Sequence, residues 1–568
     1  VSSLATSSSA ASGSAAARGA LPPLRAWQTR ALSALAGWRD GSFLISAAPG
    51  AGKTRPALEF ARAELARRAC DGVVIVCPTA PLTRQWARAA HLSGLELVPD
   101  AESARPPAGF HGVVVTYARI AQAPARWAAT CRERTLVVAD EAHHLGEDLA
   151  WGESFARAFA PSTRWLLLSG TPFRSDAAAI PGVVYDSDGV AEPDVAYTYA
   201  DAVRDGVCRQ VVFIAYDGTL SWRSGEDVIE SSFETVLSTR EASRRYRTAI
   251  STDLPDGLPR ILREADVRLQ ALRRGGHPDA GGLVIAADSA HARRIAAQLR
   301  EATGHPPVVV LHQDPRAAAR LAAFTRSAEP WLVAVNMVSE GVDIPRLRVG
   351  VYATAAKTPL VFRQIVGRFV RTIPGRAPEP SWLYIPADPV LRDHAGAVEH
   401  ELRAFRRERP ADAAEAFDAV ERRATERTQA PDFEPLSADV APQLTLFGPA
   451  PGAPGLGGAP GIAGAPVTGG APTTPSPLRA VPPPVPLDPP TEKADARPAA
   501  AVPLYERRER LRRTRRQLVA DLARREGLSH QEVNGQINRA IGIAGVGTAT
   551  LEQLERSVEL LERRLARR

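Results

Sequence analysis

The apolar run Phe43–Ser46 leads into Ala48-Pro49-Gly50-Ala51-Gly52-Lys53-Thr54, and a helical pattern opens directly after it. No other stretch restricts the fold as strongly. Small residues between a buried strand and a helix N-terminus let backbone N–H groups close around an anion, with the helix dipole behind them. Pro49, Gly50, Ala51 and Gly52 would supply the cradle, Lys53 would neutralise β/γ-phosphates, and the Thr54 hydroxyl would reach Mg²⁺. Lysine occurs only at positions 53, 357 and 493 in a chain whose other basic residues are arginine, which singles out Lys53. The strict pattern has glycine where Ala48 stands, so the plainer alternative is a Gly-containing turn before a helix.

The surroundings of that loop predict a parallel sheet. Apolar runs at Phe43–Ser46, Val73–Cys77, Val113–Thr116, Leu136–Ala139 and Trp165–Ser169 alternate with helical stretches. The theme repeats at Leu283–Ala287, Val308–Leu311, Trp331–Val335, Val349–Ala353 and Trp382–Ile385. Strands alternating with helices imply βαβ units, so the expectation is α/β with two parallel-sheet lobes, over 21–195 and 281–430. Residues 196–280 read as a connecting segment with a strand at Gln210–Ala215 and a helix near 257–274. Residues 1–20 read as a disordered Ala/Ser tail rather than a secretory signal. Residues 431–500 hold 18 Pro and 9 Gly and lack Trp, a composition expected of a disordered linker.

Asp140-Glu141-Ala142-His143 follows the strand Leu136–Ala139. Carboxylates at the end of a buried strand suit metal-assisted hydrolysis: Asp140 would hold Mg²⁺ through water, and Glu141 would position and deprotonate the attacking water. An acidic helix cap is the alternative. Gln364, Arg368 and Arg371, spaced by four and three, would share one helix face. Two guanidiniums there could reach a γ-phosphate held by the other lobe, or form a solvated face.

In this order, the motifs resemble a superfamily 2 helicase of the DEAD/DEAH-box kind, in its restriction-subunit-like (ResIII-type) branch, from a bacterium or phage. The resemblance covers roughly residues 21–400. Ala26-Trp27-Gln28 is similar to the glutamine motif, with Gln28 implied to read adenine. The segment from Pro78 to Trp86 resembles the motif that touches the nucleic-acid backbone, through Thr79, Arg84 and Gln85. Ser169-Gly170-Thr171 resembles the coupling motif, although Gly170 replaces the commoner Ala. Ser339–Pro345 resembles motif V, with Asp343 implied at the nucleotide, and Gln364–Arg371 resembles motif VI. His143 and Gln364 join Ser169 and Thr171 as implied coupling residues. The resemblance implies two tandem RecA-like lobes, ATP with Mg²⁺ in the cleft, and nucleic acid across the top. It implies a DNA helicase or double-stranded DNA translocase, with an RNA helicase or the motor subunit of a restriction or defence complex as alternatives. In the last case the nuclease would be a separate chain. A replication or repair partner is also open.

Composition excludes other classes. There is no run of about 18 apolar residues, so no membrane helix is expected. Cys70, Cys77, Cys131 and Cys208 form no C-x-x-C pair, which argues against zinc ribbons and fits a reducing, cytoplasmic setting. The formal charge is +7, and residues 505–568 alone carry 15 Arg against 9 Asp/Glu. Residues 501–568 are predicted to be a small helical unit: an Arg-rich helix Tyr505–Glu526 ended by Gly527, then helices started by Ser529 and Thr550. Its arginines 507, 508, 510, 512, 513, 515 and 516 read as a solvated face, a surface for nucleic-acid phosphates, or a dock for an acidic protein.

Overall fold

The computed structural model describes residues 21–147, 149–170, 179–187, 189–224, 226–311, 314, 316–335, 344–373, 376, 379–404, 433–443, 502–547 and 549–566. Thr171, Asp343 and most of Ser339–Pro345 lie outside the described residues, as do residues 1–20 and 444–501.

The first lobe runs through α1 (Ala26–Gly37), β1 (Gly41–Ala47), α2 (Thr54–Ala66), β2 (Gly72–Cys77), α3 (Ala80–Leu92), β3 (Leu97–Val98) and β4 (Gly112–Thr116). It continues through α4 (Tyr117–Gln122), α5 (Pro124–Thr130), β5 (Thr135–Asp140), α6 (His144–Glu147), α7 (Leu149–Phe159), β6 (Arg164–Ser169) and β7 (Val195–Tyr197). Its sheet has the order β3-β4-β2-β5-β6-β1-β7, with parallel pairing throughout. Strands β2 and β5 are buried along nearly their whole length. A parallel strand covered by helices on both faces has no polar side to present, so its sequence reads as a continuous apolar run.

After α8 (Tyr199–Arg204) the chain enters the second sheet at β8 (Val211–Ser224). The elements that follow are β9 (Asp227–Ser231), α9 (Thr239–Ala249), α10 (Leu258–Arg274), β10 (Gly281–Ala286), α11 (Ser289–Thr303), β11 (Val308–Val310) and α12 (Ala317–Arg326). The lobe is completed by β12 (Trp331–Val335), β13 (Leu347–Ala353), α13 (Pro359–Phe369), β14 (Ser381–Pro386), α14 (Pro389–Ala404) and β15 (Phe433–Gln443). Strand order is β11-β12-β10-β13-β14-β8-β15, and β9 pairs with β8 as a hairpin.

Two sequence expectations change here. The stretch 196–280, read as a connecting segment, contributes β8, β9, α9 and α10 to the second lobe. The stretch 431–500, read as linker, contains β15, antiparallel to β8 on the sheet edge. Ala438 and Val440 are buried while Ser437 and Asp439 are exposed, the alternation of a strand with one covered face. Pro435 and Pro442 are tolerated because an edge strand can spare N–H donors.

The C-terminal unit comprises α15 (Leu504–Glu526), α16 (His530–Ile541) and α17 (Leu551–Ala566). Gly527 closes α15 in a left-handed conformation at φ 65°. Ser529 and Glu532 form a reciprocal cap at the start of α16. Val519, Leu522, Val533, Ile537 and Leu561 make its core. The unit is seated on the first lobe: Tyr505 is buried, and the Leu504 N–H donates to Glu96 Oε2 at 3.2 Å.

Candidate nucleotide site between the lobes

Because β5, β6 and β1 are adjacent, their carboxyl ends bring together Asp140, Ser169 and the loop Ala48–Thr54. The crevice beyond the carboxyl ends of parallel strands is where open α/β sheets bind ligands. Gly50 and Gly52 both have φ of +87°, a backbone that curls the loop and that side chains rarely adopt. Lys53 precedes α2 directly, and its Nζ lies 3.4 Å from both Glu141 Oε1 and the Ala47 carbonyl.

The two carboxylates at the end of β5 behave differently. Asp140 Oδ2 accepts from Trp86 Nε1 at 2.7 Å and Oδ1 accepts from the Glu141 N–H at 3.1 Å. Burial, then the charge of Glu141, pushes the Asp140 carboxyl up to about 6. Burial also acts to raise Glu141, but Lys53 and then His143 and His144 outweigh it and hold that carboxyl near 2. Glu141 sits at φ 50°, so its side chain turns back toward the loop. Its Oε2 is 3.6 Å from His143 Nδ1, which is 3.3 Å from Ser169 Oγ. His143 and Ser169 are both buried, so the ends of β5 and β6 are joined by a polar chain beginning at Glu141.

The entry to α1 also grips the loop. Arg25 Nη1 donates to the Ala51 carbonyl at 2.7 Å, which also receives Trp27 Nε1 at 3.2 Å. Gln28 Nε2 donates to the Gly52 carbonyl at 3.0 Å, and its Oε1 accepts the Arg25 N–H at 2.9 Å. Gln28 is therefore buried against the loop backbone. Trp27 stacks on Tyr197 at 4.9 Å, tying α1 to β7. Arg25 and Trp86 were not singled out from sequence; their partners are 26 and 54 residues away, and no local pattern reveals such a pairing.

The second lobe meets the first at this loop. Gly367 on α13 faces Pro49 so closely that a Cβ there would lie 2.9 Å from Pro49 Cβ. A Cβ on Gly50 would lie 2.7 Å from Arg371 Nη1. Cys208 Sγ is 3.4 Å from the Pro49 carbonyl, and the Arg209 N–H donates to the Val370 carbonyl at 2.7 Å. Behind Pro49 the inter-lobe cleft is lined by Tyr197, Val366 and Val370, with the ion pair Arg363–Glu401 at 2.6 Å. The expected single helical face is corrected in part. Gln364 and Arg368 lie on α13, but that helix ends at Phe369, and Arg371 pairs across an isolated bridge with Cys208. Even so, Arg371 reaches the loop.

At the motif read as touching nucleic acid, Thr79 is the N-terminal cap residue of α3, and Arg84 and Gln85 are exposed on that helix. Arg84 lies 3.6 Å from Asp100 and 3.7 Å from Glu509 of α15. Among the described residues, no cluster of three or more His, Cys, Asp or Glu could hold a metal. Likewise no helix there is long and apolar enough to cross a membrane.

The family described as "Type III restriction enzyme, res subunit" matches residues 21–174. Rv2917 of Mycobacterium tuberculosis, an uncharacterized protein, is 43% identical over 442 residues, covering 75% of this chain and 72% of the relative. ML1624 of Mycobacterium leprae, also uncharacterized, is 43% identical over 389 residues, covering 66% and 64%. Among solved structures, the ATP-dependent Type ISP restriction-modification enzyme LlaBIII bound to DNA has TM-score 0.45 and 15% identity. That alignment covers 67% of this chain and 30% of LlaBIII. S. cerevisiae Dbp5 bound to RNA and ADP BeF3 has TM-score 0.43 and 14% identity, covering 66% and 87%. The chain belongs to one family with the mycobacterial proteins, and over residues 21–174 it is ResIII-like, of the superfamily 2 helicase kind.

Proposed function

We propose that this helicase-like, ATP-dependent motor acts on DNA, as a helicase or double-stranded DNA translocase that hydrolyses ATP to ADP and phosphate. The observation that carries the reading is the packing of α13 and Arg371 onto Pro49 and Gly50. A phosphate loop that is also a lobe–lobe contact makes lobe closure depend on what the loop holds.

Lys53 and the backbone of Pro49–Gly52 take the phosphates, and Glu141 positions and deprotonates the attacking water. Arg368 and Arg371 stabilise charge spreading on the γ-phosphate. Gln28 sets the loop from the adenine side, and Asp343 is a further nucleotide contact. The Thr54 hydroxyl and Asp140 carboxylate fit Mg²⁺, which takes hard oxygen donors and needs few of them from protein when phosphates and waters supply the rest. The metal neutralises phosphate charge when bound. The chain Glu141–His143–Ser169 carries the state of the site to the nucleic-acid side, where Thr79, Arg84 and Gln85 contact the backbone, and Thr171 and Gln364 act as further coupling residues. The four cysteines are buried free thiols, which suits a reducing, cytoplasmic setting.

The test is phosphate release at fixed salt with duplex DNA, single-stranded DNA or RNA. Stimulation greatest with duplex DNA supports the reading. Stimulation by RNA alone moves the activity to an RNA helicase, and stimulation by none of the three refutes a nucleic-acid motor.

A further inference from the structure

Helix α15 sorts its charged residues three ways. Toward the first lobe it turns Glu506, whose Oε1 accepts from Arg88 Nε at 3.2 Å, and Glu509, 3.7 Å from Arg84. The Tyr505 hydroxyl accepts from the same Arg88 Nε at 3.2 Å. Toward its own unit it turns three arginines. Arg508 donates to the Gly547 carbonyl at 2.6 Å, and Arg512 to the Val546 carbonyl at 2.9 Å. Arg515 donates to Asn534 Oδ1 at 2.6 Å and Asn538 Oδ1 at 2.9 Å. These three are structural, which removes them from the cationic surface read from sequence.

Arg507 is exposed but pairs with Glu555 of α17 at 3.4 Å, and Arg510, Arg513 and Arg516 remain, all exposed. Among the described residues, no carboxylate oxygen lies within 4.0 Å of their guanidinium nitrogens. That is unexpected on helical grounds. A Glu four residues before an Arg is the favoured pairing, and Glu506–Arg510 and Glu509–Arg513 have that spacing. Docking has drawn both carboxylates onto Arg88 and Arg84 instead. Three like charges at three-residue steps repel one another, and the row starts one residue from the Glu509–Arg84 contact on α3.

We propose that Arg510, Arg513 and Arg516 bind the phosphodiester backbone of the nucleic acid held by the motor, as a continuation of the α3 surface; this rests on the motor reading above. The row spans about 9 Å at a rise of about 1.5 Å per residue. Each strand of duplex DNA carries a charge every ~3.4 Å along the axis, so the row faces roughly three of them.

The experiment uses the full chain and a fluorescent random-sequence duplex, with an RNA of equal length, titrated at several salt concentrations. The test variant is R510Q/R513Q/R516Q. The control is R524Q/R556Q/R563Q, which removes as many exposed arginines that have carboxylates in their own helices. Each phosphate contact contributes about −0.9 to the slope of log affinity against log salt on duplex DNA. The test variant should therefore lose about 2 to 3 from the magnitude of that slope. The control should match the wild type, and ATP turnover without nucleic acid should be equal in all three. A test variant whose slope matches the control, while the wild type binds, overturns the surface and leaves the motor reading standing. A wild type that binds neither DNA nor RNA overturns both.

Discussion

Gly367→Ala separates lobe closure from every other property of the site. The added Cβ would lie 2.9 Å from Pro49 Cβ and 3.0 Å from Pro49 Cγ. Carbon atoms rest at about 3.5–4.0 Å, so α13 must withdraw by about 0.5–1 Å or the phosphate loop must give way. A proline ring cannot swing aside as a long side chain would. Overpacking of this kind costs about 1–3 kcal/mol, which weakens the closed arrangement about 5- to 150-fold. The same substitution favours the helix, because alanine exceeds glycine by about 0.8–1.0 kcal/mol inside one. The helix gain offsets only part of that cost, so stability should fall much less than turnover. Steady-state phosphate release at saturating duplex DNA is expected to fall at least about fivefold, while the melting temperature falls by no more than about 4 °C. Nucleotide affinity without nucleic acid should change little, since Lys53 and the loop are untouched. Gly367→Val should be worse than Ala. Wild-type turnover in Gly367→Ala would refute the claim that α13 must rest on Pro49 for hydrolysis.

Other variants probe separate parts of the account. Trp86→Phe removes the 2.7 Å donor to Asp140 Oδ2, whose carboxyl already sits near 6 through burial and the charge of Glu141. A protonated Asp140 cannot hold Mg²⁺, so turnover at limiting Mg²⁺ should fall as pH is lowered, and Trp86→Phe should move that fall to higher pH. Arg25→Ala deletes the 2.7 Å bond to Ala51 from a solvent-exposed side chain; a loss of about 1 kcal/mol, or about fivefold in nucleotide affinity, is expected by titration calorimetry. Glu141→Gln keeps the shape of the site and loses the base, so ATP should bind and persist, read as retained nucleotide with turnover down by at least about 10². Val440→Asp places an unpaired charge on the covered face of β15 and should destabilise by about 3 kcal/mol or more in a denaturant melt.

The repeating apolar runs made the two parallel sheets readable, because strands buried on both faces leave a continuous apolar trace. Strand β15 left none: over a long window its eleven residues vanish among prolines, and the only signal is the alternation around Ala438 and Val440. The helical segment carrying Arg368 was readable, but its end was misplaced. Pro374 restricts only Ile373, so nothing local marked a stop short of Arg371; there the chain leaves the helix and bridges to Cys208, far away in sequence. The phosphate loop and its facing carboxylates were legible as motifs because each is local. The Trp86–Asp140 bond and the Arg25 grip join residues far apart in the chain, so they exist only once the sheet has placed β5 beside β2 and α1 beside the loop. The docking of α15 was hidden for the same reason: Glu506 and Glu509 read as helix-surface charges until Arg88 and Arg84 are seen opposite them.

The central claim is that one ATP site is built from both lobes, and phosphate release with Mg²⁺-ATP and saturating duplex DNA tests it most directly. Wild type, Lys53→Ala from the first lobe and Arg371→Ala from the second are compared under identical conditions. Both variants are predicted to lose most turnover, with nucleotide binding weakened in Lys53→Ala and kept in Arg371→Ala. Arg371→Ala turning over at the wild-type rate would contradict the shared site.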